Sequence, residues 1–437
     1  MSRSSRRFTS AIAAATVASM LAACGGSDDG GGGGGGEGGA NEASDIGITE
    51  DSIKLGGHFP LTGPASPGYS EIPTGIQAYF DHVNENGGVN DRQIEWIFRD
   101  DAYNPTNTTQ VVNQLVLEDE VFAIVGGLGT PTHSAVLDFL NSEGVPDLFV
   151  ASGSVLWGED PETNPYTFAW QTDYQSEGKI LGQYIAEEFP DAKIGLFVQD
   201  DDLGEDGESG LRQSLDDQII EVQRYTSGNT NVGPQIAALQ AAGADLVIGF
   251  ATPTYTALSQ LTARQLGFDP QWVYANIGSD PTLVGAILAR VSQGAVTDAS
   301  SLEGAITTEY IPTVDQTDNP WVQTFSEIWE ASGQEGEFSN YRMYGMTLGY
   351  LTVSALQAAG QNPTRDGIIE AIEAVGADFE GPWFAPLRYS EDSHMGISGM
   401  SISQIVGTGS EELAPLQVTD LGDADIEEAD VQESTPP

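Results

Sequence analysis

Any chemistry in this chain must come from hydroxyls, amides and carboxylates, because bases and nucleophiles are scarce. Histidine occurs only as His58, His82, His133 and His394, and no two of them share zinc-ligand spacing. Cys24 is the sole cysteine, and no GxSxG elbow presents a serine. The stretch "VFAIVGGLGTPTHS" (121–134) ends an apolar run in a glycine-rich turn that supplies Thr130, Thr132, His133 and Ser134. It lacks both the P-loop ending and GxGxxG, and no cation stands near to meet a phosphate. A single carboxylate is the better guest, since amides opening a helix over 131–143 and one hydroxyl can hold it without a counter-ion. His133, just inside that helix, reads as solvated or capping rather than as a base. His58, near a strand end, either borders a cleft or packs.

The run "DDDLGEDGESG" (200–210) invites calcium but fails the EF-hand pattern, with Gly204 at the third ligand position counted from Asp202. It reads instead as an acidic solvated loop capping a helix over 208–217. "NTT" at 107–109 is a glycosylation sequon only in a cell that uses it. Trp157 and Trp170 are expected near a cleft, as core or as its wall. No enzyme activity, metal or cofactor is expected.

Charge excludes several partners. The chain has 15 Lys+Arg against 65 Asp+Glu, a formal charge of −50, and only Lys54, Lys179 and Lys193 as lysines. Nucleic acid and anionic lipid surfaces both require basic patches. Such acidity fits work in high salt, where screening within about 3 Å at 1 M removes self-repulsion.

Residues 1–23 read as a targeting segment. Arg3, Arg6 and Arg7 precede "AIAAATVASMLAA", an apolar run of 13 residues, too short to cross a bilayer. "LAAC" then resembles a lipobox, with Cys24 as the lipidated first residue of the mature chain. The Arg6-Arg7 pair raises twin-arginine export, but its context fits poorly. The glycine-rich, acidic stretch 25–45 reads as a flexible tether reaching on the order of 25 Å within a linker over 24–48. The acidic stretch 413–437 reads as a disordered tail.

Between these segments strands and helices alternate. Strands are predicted at 52–59, 93–98, 121–126 and 145–150, with helices at 70–86, 106–118 and 131–143 between them. A second series starts with a helix over 174–188 and continues with strands at 192–198, 219–225, 245–250 and 271–275. Helices at 208–217, 232–242 and 254–266 separate those strands, and three more are expected at 320–332, 341–359 and 364–375. Two such runs imply two doubly wound parallel sheets, with ligand bound beyond the carboxyl ends of the strands. The loops there are rich in Ser, Thr, Gly and Asp, and contain no Lys or Arg.

The motifs "IKLGGHFPLTGPAS", "NENGGVNDRQIEWIFRDDAYNPTNT", "FAIVGGLGTPT" and "VPDLFVASGS", followed by "FAWQTDYQSEGKILGQYI", resemble the leucine/isoleucine/valine-binding type of ABC-transporter solute-binding protein. The resemblance spans roughly 48–410. It implies a type I periplasmic-binding fold: two α/β lobes joined by three hinge strands that close on a ligand. The crossings are expected near 168–173, 302–308 and 392–398. Lobe 1 then comprises 49–170 and 305–393, and lobe 2 comprises 171–304 and 394–412.

By position, the resemblance assigns the carboxylate-reading hydroxyl to Thr130, with further contacts at Ser152, Gly153 and Ser154 and a first-loop aromatic at Tyr69. Across the cleft the family's ammonium-binding acid falls on Asn276, and its tyrosines fall on Leu203 and Ala251, beside Thr252. Asp280 or Asp202 could supply the missing acid; otherwise the ligand carries no amine and is an aromatic or aliphatic carboxylate or an amide. The implied function is a monomeric, membrane-anchored receptor that delivers a small hydrophobic amino acid or related carboxylate to a permease and its ATPases. The alternative is a sensor component on the same fold.

Overall fold

The computed structural model describes residues 40–296 and 302–437. Two sheets organise them. The first contains β1 (Ser52–Phe59), β2 (Gln93–Asp100), β3 (Ala123–Val125), β4 (Asp147–Val150) and β5 (Thr167–Ala169), all parallel, in the order β2-β1-β3-β4-β5. The second contains β6 (Ile194–Gln199), β7 (Ile219–Tyr225), β8 (Leu246–Phe250), β9 (Gln271–Tyr274) and β10 (Ile306–Glu309), also parallel. It is completed by the antiparallel strands β11 (Gly399–Val406), β12 (Gly409–Val418) and β13 (Glu427–Glu428). The central strands β3, β4, β6 and β8 are wholly buried and, apart from Asp147 and Gln199 at strand ends, apolar, as strands covered on both faces must be.

Each lobe packs helices on its sheet. In the first, Ile72–Glu85 lies against Asn340–Ala358, and Gly75 and Gly345 leave no room for side chains between them. In the second, Tyr174–Glu188 lies against Asp202–Leu215, each started by an aspartate cap: Asp173 accepts from Ser176 N–H at 2.7 Å and Asp201 from Leu203 N–H at 3.1 Å. A side chain at Gly178 would strike the carbonyl of Gly207, and one at Gly210 would strike that of Gln175. Of the glycines in "DDDLGEDGESG", Gly210 serves helix–helix approach, while Gly204 and Gly207 let the helix lie close on Gln199 and Phe250 of the sheet. The segment is a helix from Asp202 onward rather than a solvated loop before residue 208.

Three chain crossings lie side by side between the sheets. The first runs from Trp170 to Asp173 and the third through 394–398, joined where Ile397 N–H donates to the Trp170 carbonyl at 2.9 Å and the Thr172 hydroxyl donates to the Gly399 carbonyl at 2.8 Å. The middle crossing comes later than expected. Because β10 pairs with β9 and β11, the second sheet keeps the chain to Glu309, and the chain leaves only after it.

The two flanks of the fold also differ from expectation. Residues from Ala40 onward are tied down: Glu42 N–H donates to Asn362 Oδ1 at 2.9 Å, Arg92 donates to the Glu42 carbonyl at 2.9 Å, and Ile48 is buried. The stretch 413–437 is built in rather than disordered. It completes β12 and forms β13, and Lys179 Nζ donates to Thr419 Oγ1 and to the carbonyls of Asp420 and Ala424 at 2.7–2.9 Å. Arg388 bridges Asp173 and Asp420, and Gln432 N–H donates to the Phe384 carbonyl at 2.8 Å. Composition signalled disorder, but two scarce basic side chains bind this acidic strap, Lys179 through backbone and hydroxyl oxygens and Arg388 through Asp420. The Cys24 lipidation motif and the leader lie outside the described residues.

Candidate functional site

A cavity opens between the lobes beyond the carboxyl ends of the strands, and its free space, mouth included, is about 1080 Å³. Thr130 stands in its wall, fully buried, as the first residue of the short helix Thr130–Ser134. Gly129 precedes it with φ 100°, a conformation that a side chain would oppose. The expected helix over 131–143 is broken into Thr130–Ser134 and Leu137–Ser142, so no long helix dipole points at the site. The hydroxyl of Thr130 meets that of Ser152 at 2.7 Å.

Of the other expected contacts, Tyr69, Leu203, Thr252, Asn276 and Asp280 line the cavity. Ser152 stands behind Thr130 and bonds the Tyr174 hydroxyl as well. Gly153 and Ser154 do not reach the cavity. The Gly153 carbonyl accepts from Tyr174 N–H at 2.7 Å, and Ser154 caps the turn Val155–Trp157 and bonds Asp206. Tyr174 and Asp206 belong to the second lobe's helices, so these two residues fasten the lobes together. Ala251 and Asp202 are not in the lining, so of the two acids expected there only Asp280 is, joined by Glu309 and Asp315.

Asn276 is already engaged. Its Nδ2 donates to the Thr308 carbonyl at 2.6 Å, and its N–H donates to Glu177 Oε1 at 2.7 Å. Burial pushes the Glu177 carboxyl up to about 7, although the Thr308 hydroxyl and Asn276 amide favour its charged form. Burial likewise raises Asp206 to about 7 and Asp201 to about 6. Asp280 caps the helix Pro281–Val291 through Leu283 N–H and accepts from Asn340 Nδ2 at 2.7 Å; burial raises it too.

The cavity walls are more aromatic than the sequence implied. The family's second-lobe tyrosines are absent, but Tyr69, Tyr103, Tyr174, Tyr310, Tyr341 and Tyr344 all line the cleft. Tyr69 and Tyr341 meet edge to face with centroids 5.8 Å apart. Tyr344 accepts from Trp170 Nε1 at 2.8 Å and donates to Gln171 Oε1 at 2.7 Å, so Trp170 holds a wall residue from behind. Trp157 is farther back, packed edge-on against His133 at 5.0 Å. Most of these tyrosines come from the hinge and from the start of the helix Asn340–Ala358. Tyr69 was expected from the resemblance; of the others, only Tyr341 and Tyr344 left a signal, the "NYRMYG" spacing that puts them three apart on one helix face.

The lobes touch around the cavity. Thr254 Oγ1 donates to the Pro64 carbonyl at 2.7 Å, Val155 N–H donates to Asp206 at 3.1 Å, and Asn340 reaches Asp280. Beneath the Thr130 loop lies a buried run of four groups: Asp101, His58, His133 and Asp147, with successive contacts of 2.9, 3.0 and 2.7 Å. His133 is therefore a core residue, neither solvated nor capping, and His58 is packed beside it. Burial holds His58 below its ordinary value despite the Asp101 carboxylate. Among the described residues no cluster of side chains could hold a metal ion.

Two lobes, a three-segment hinge and a closed polar–aromatic cleft match a known design. The model of the periplasmic binding protein family matches residues 52–410. The chain belongs to that family. Family members bind solutes, and this one has the type I fold, two parallel-sheet α/β lobes. Among its relatives is the leucine-, isoleucine-, valine-, threonine- and alanine-binding protein of Pseudomonas aeruginosa, 25% identical over 233 residues, 52% of this chain and 61% of the relative. The Leu/Ile/Val-binding protein homolog 1 of Brucella suis is 24% identical over 318 residues, 72% and 80% of the two chains. The chain thus spans about three fifths of the Pseudomonas relative's length.

Solved structures share the fold. A branched-chain amino acid ABC transporter protein of Thermus thermophilus with bound valine has a TM-score of 0.72 at 20% identity, covering 84% of this chain and 96% of that one. A fatty acid ABC transporter substrate-binding protein of Thermomonospora curvata reaches 0.72 at 22% identity, covering 85% and 93%. No helix among the described residues of this periplasmic binding protein is long and apolar enough to cross a membrane.

Proposed function

We propose that this periplasmic binding protein is the extracytoplasmic receptor of an ABC importer, held at the membrane by lipid on Cys24, that binds a small hydrophobic amino acid or related carboxylate and delivers it to a permease. One observation carries the reading: Thr130, its hydroxyl backed by Ser152, and Asp280 line one tyrosine-walled cleft that has no basic side chain among the described residues. The hydroxyl side suits a carboxylate. Asp280 suits an ammonium, which in a closed cleft without an acid would be left unpaired at high cost. The names of the Pseudomonas and Brucella relatives support the same class of ligand.

Calorimetry with leucine, isoleucine, valine and the amine-free 4-methylpentanoate tests this. Leucine is expected to bind more tightly than its amine-free counterpart, and Asp280→Asn is expected to shrink that difference. Binding of none of the four would end the proposal. For the anchor, mass spectrometry of the mature protein should find acyl chains on Cys24, and an unmodified full-length N-terminus would refute it.

A further inference from the structure

The polar groups that line the cleft differ in charge from one lobe to the other. Thr130 offers a neutral hydroxyl from the first lobe, whereas three carboxylates line the cavity where the second lobe meets the hinge: Asp280 at the start of the helix Pro281–Val291, Glu309 at the end of β10 and Asp315 just beyond it. None of the three is ion-paired, and no Lys, Arg or His lines the cavity among the described residues. The guanidinium of Arg342, on the neighbouring helix, is committed to Glu71 and to the Glu337 carbonyl.

A second observation lies on the same strand. Thr307 and Glu309 are two apart on β10 and so share a face. Thr307 is only 4% exposed, lines the cavity, and its Oγ1 has no hydrogen-bond partner. Thr313 Oγ1, also in the lining, is likewise without one. Buried hydroxyls are normally satisfied, so an orphan pointing to a cavity marks a place where a guest supplies the bond.

We propose that the hinge end of this cavity is a cation subsite, in which Asp280, Glu309 and Asp315, with Thr307, hold the terminal ammonium of an elongated amino-carboxylate. The inference rests on the preceding reading, which puts the carboxylate at Thr130, and it extends that ligand beyond a compact branched-chain amino acid. The electrostatics agree. Burial raises the carboxyls of Asp280 and Glu309, and Asp315 repels both. An incoming ammonium relieves that strain, whereas a methyl group there leaves it in place. The rings of Tyr69 and Tyr341, beside Asp280, add faces that attract a cation.

The test is calorimetry of the full chain, at one fixed KCl concentration, with paired probes at three lengths: butanoate, hexanoate and octanoate against 4-aminobutanoate, 6-aminohexanoate and 8-aminooctanoate. At one length or more the amino acid should bind at least tenfold more tightly than its partner. Glu309→Gln, which keeps an acceptor for the Ser410 hydroxyl, should cut that ratio about tenfold, and Asp280→Asn, which keeps the helix cap, should do the same. Raising KCl should weaken the amino probe more than the plain one. If leucine and the plain carboxylates bind but no amino probe gains, the subsite is refuted while the receptor reading survives. A gain that persists unchanged in both variants also refutes it. If no probe binds and leucine fails too, both fall together.

Discussion

The two sides of the cleft keep their charges in opposite ways. In the first lobe the carboxylates near the ligand loop, Asp101 and Asp147, lie in the core and each meets a histidine. In the second lobe Glu177, Asp201 and Asp206 stand close to the cavity with hydroxyls, amides and N–H groups for partners and no cation. The first arrangement pairs its carboxylates, whereas the second leaves them without a cation, and burial raises all three of those carboxyls. Arg388 also meets the buried Asp173, but Glu177, Asp201 and Asp206 go without such a partner. Sensitivity to lost partners should thus concentrate in the first lobe, and sensitivity to pH in the second.

The sharpest break of this contrast is His133→Ala. It strands Asp147 and His58 in the core, and denaturant unfolding should show a loss of about 3–5 kcal/mol, the usual cost of breaking a buried pair from one side. A loss below 1 kcal/mol would mean that the buried run is not a paired network. Next comes Thr130→Ala. Calorimetry should find ligand binding weaker by about 1–3 kcal/mol, the scale of a hydrogen bond to a charged group, with melting little changed.

The pH prediction concerns the other lobe. Asp206 has an ordinary carboxyl pKa when unfolded and one of about 7 when folded, so the folded protein holds that proton longer. Its contribution to stability is complete below the unfolded value and is lost as pH rises through about 7. Glu177 has the same sign. Melting temperature at constant high salt should therefore fall between pH 5 and 7.5, by up to about 1.4 kcal/mol of stability per pH unit for each such group. Asp206→Asn should flatten the slope; an unaltered slope would assign it to other groups. The smallest effect is expected for Glu177→Gln. The amide oxygen can still accept from Asn276 N–H and the Thr308 hydroxyl, so stability at pH 8 should change by less than about 1 kcal/mol. A loss as large as that of His133→Ala would erase the distinction between the lobes.

Much of this was legible in the sequence because it is local. The alternation of buried apolar strands with helices gave both sheets, and the post-strand loops located Thr130, Thr252, Asn276 and Asp280 in the cleft. What escaped was nonlocal. Tyr310 and Tyr344 reach the cavity only because the hinge and a late helix fold back to it. His133 looked polar and near a helix start, yet its partners are 75 and 14 residues away in sequence. The acidic C-terminal stretch had the composition of disorder, but composition does not show that Lys179, some 240 residues earlier, supplies its donors. Gly153 and Ser154 were assigned too generously, since the chain leaves the cavity wall after Ala151 and Ser152 only backs Thr130.

The histidine–aspartate run also ties together parts of the first lobe that are far apart in sequence. His58 comes from β1, Asp101 from the turn after β2, His133 from the short Thr130 helix and Asp147 from β4, and three hydrogen bonds join them in the core. The loop that carries Thr130 is therefore bolted to three neighbouring segments, and its hydroxyl is held in place before any guest arrives.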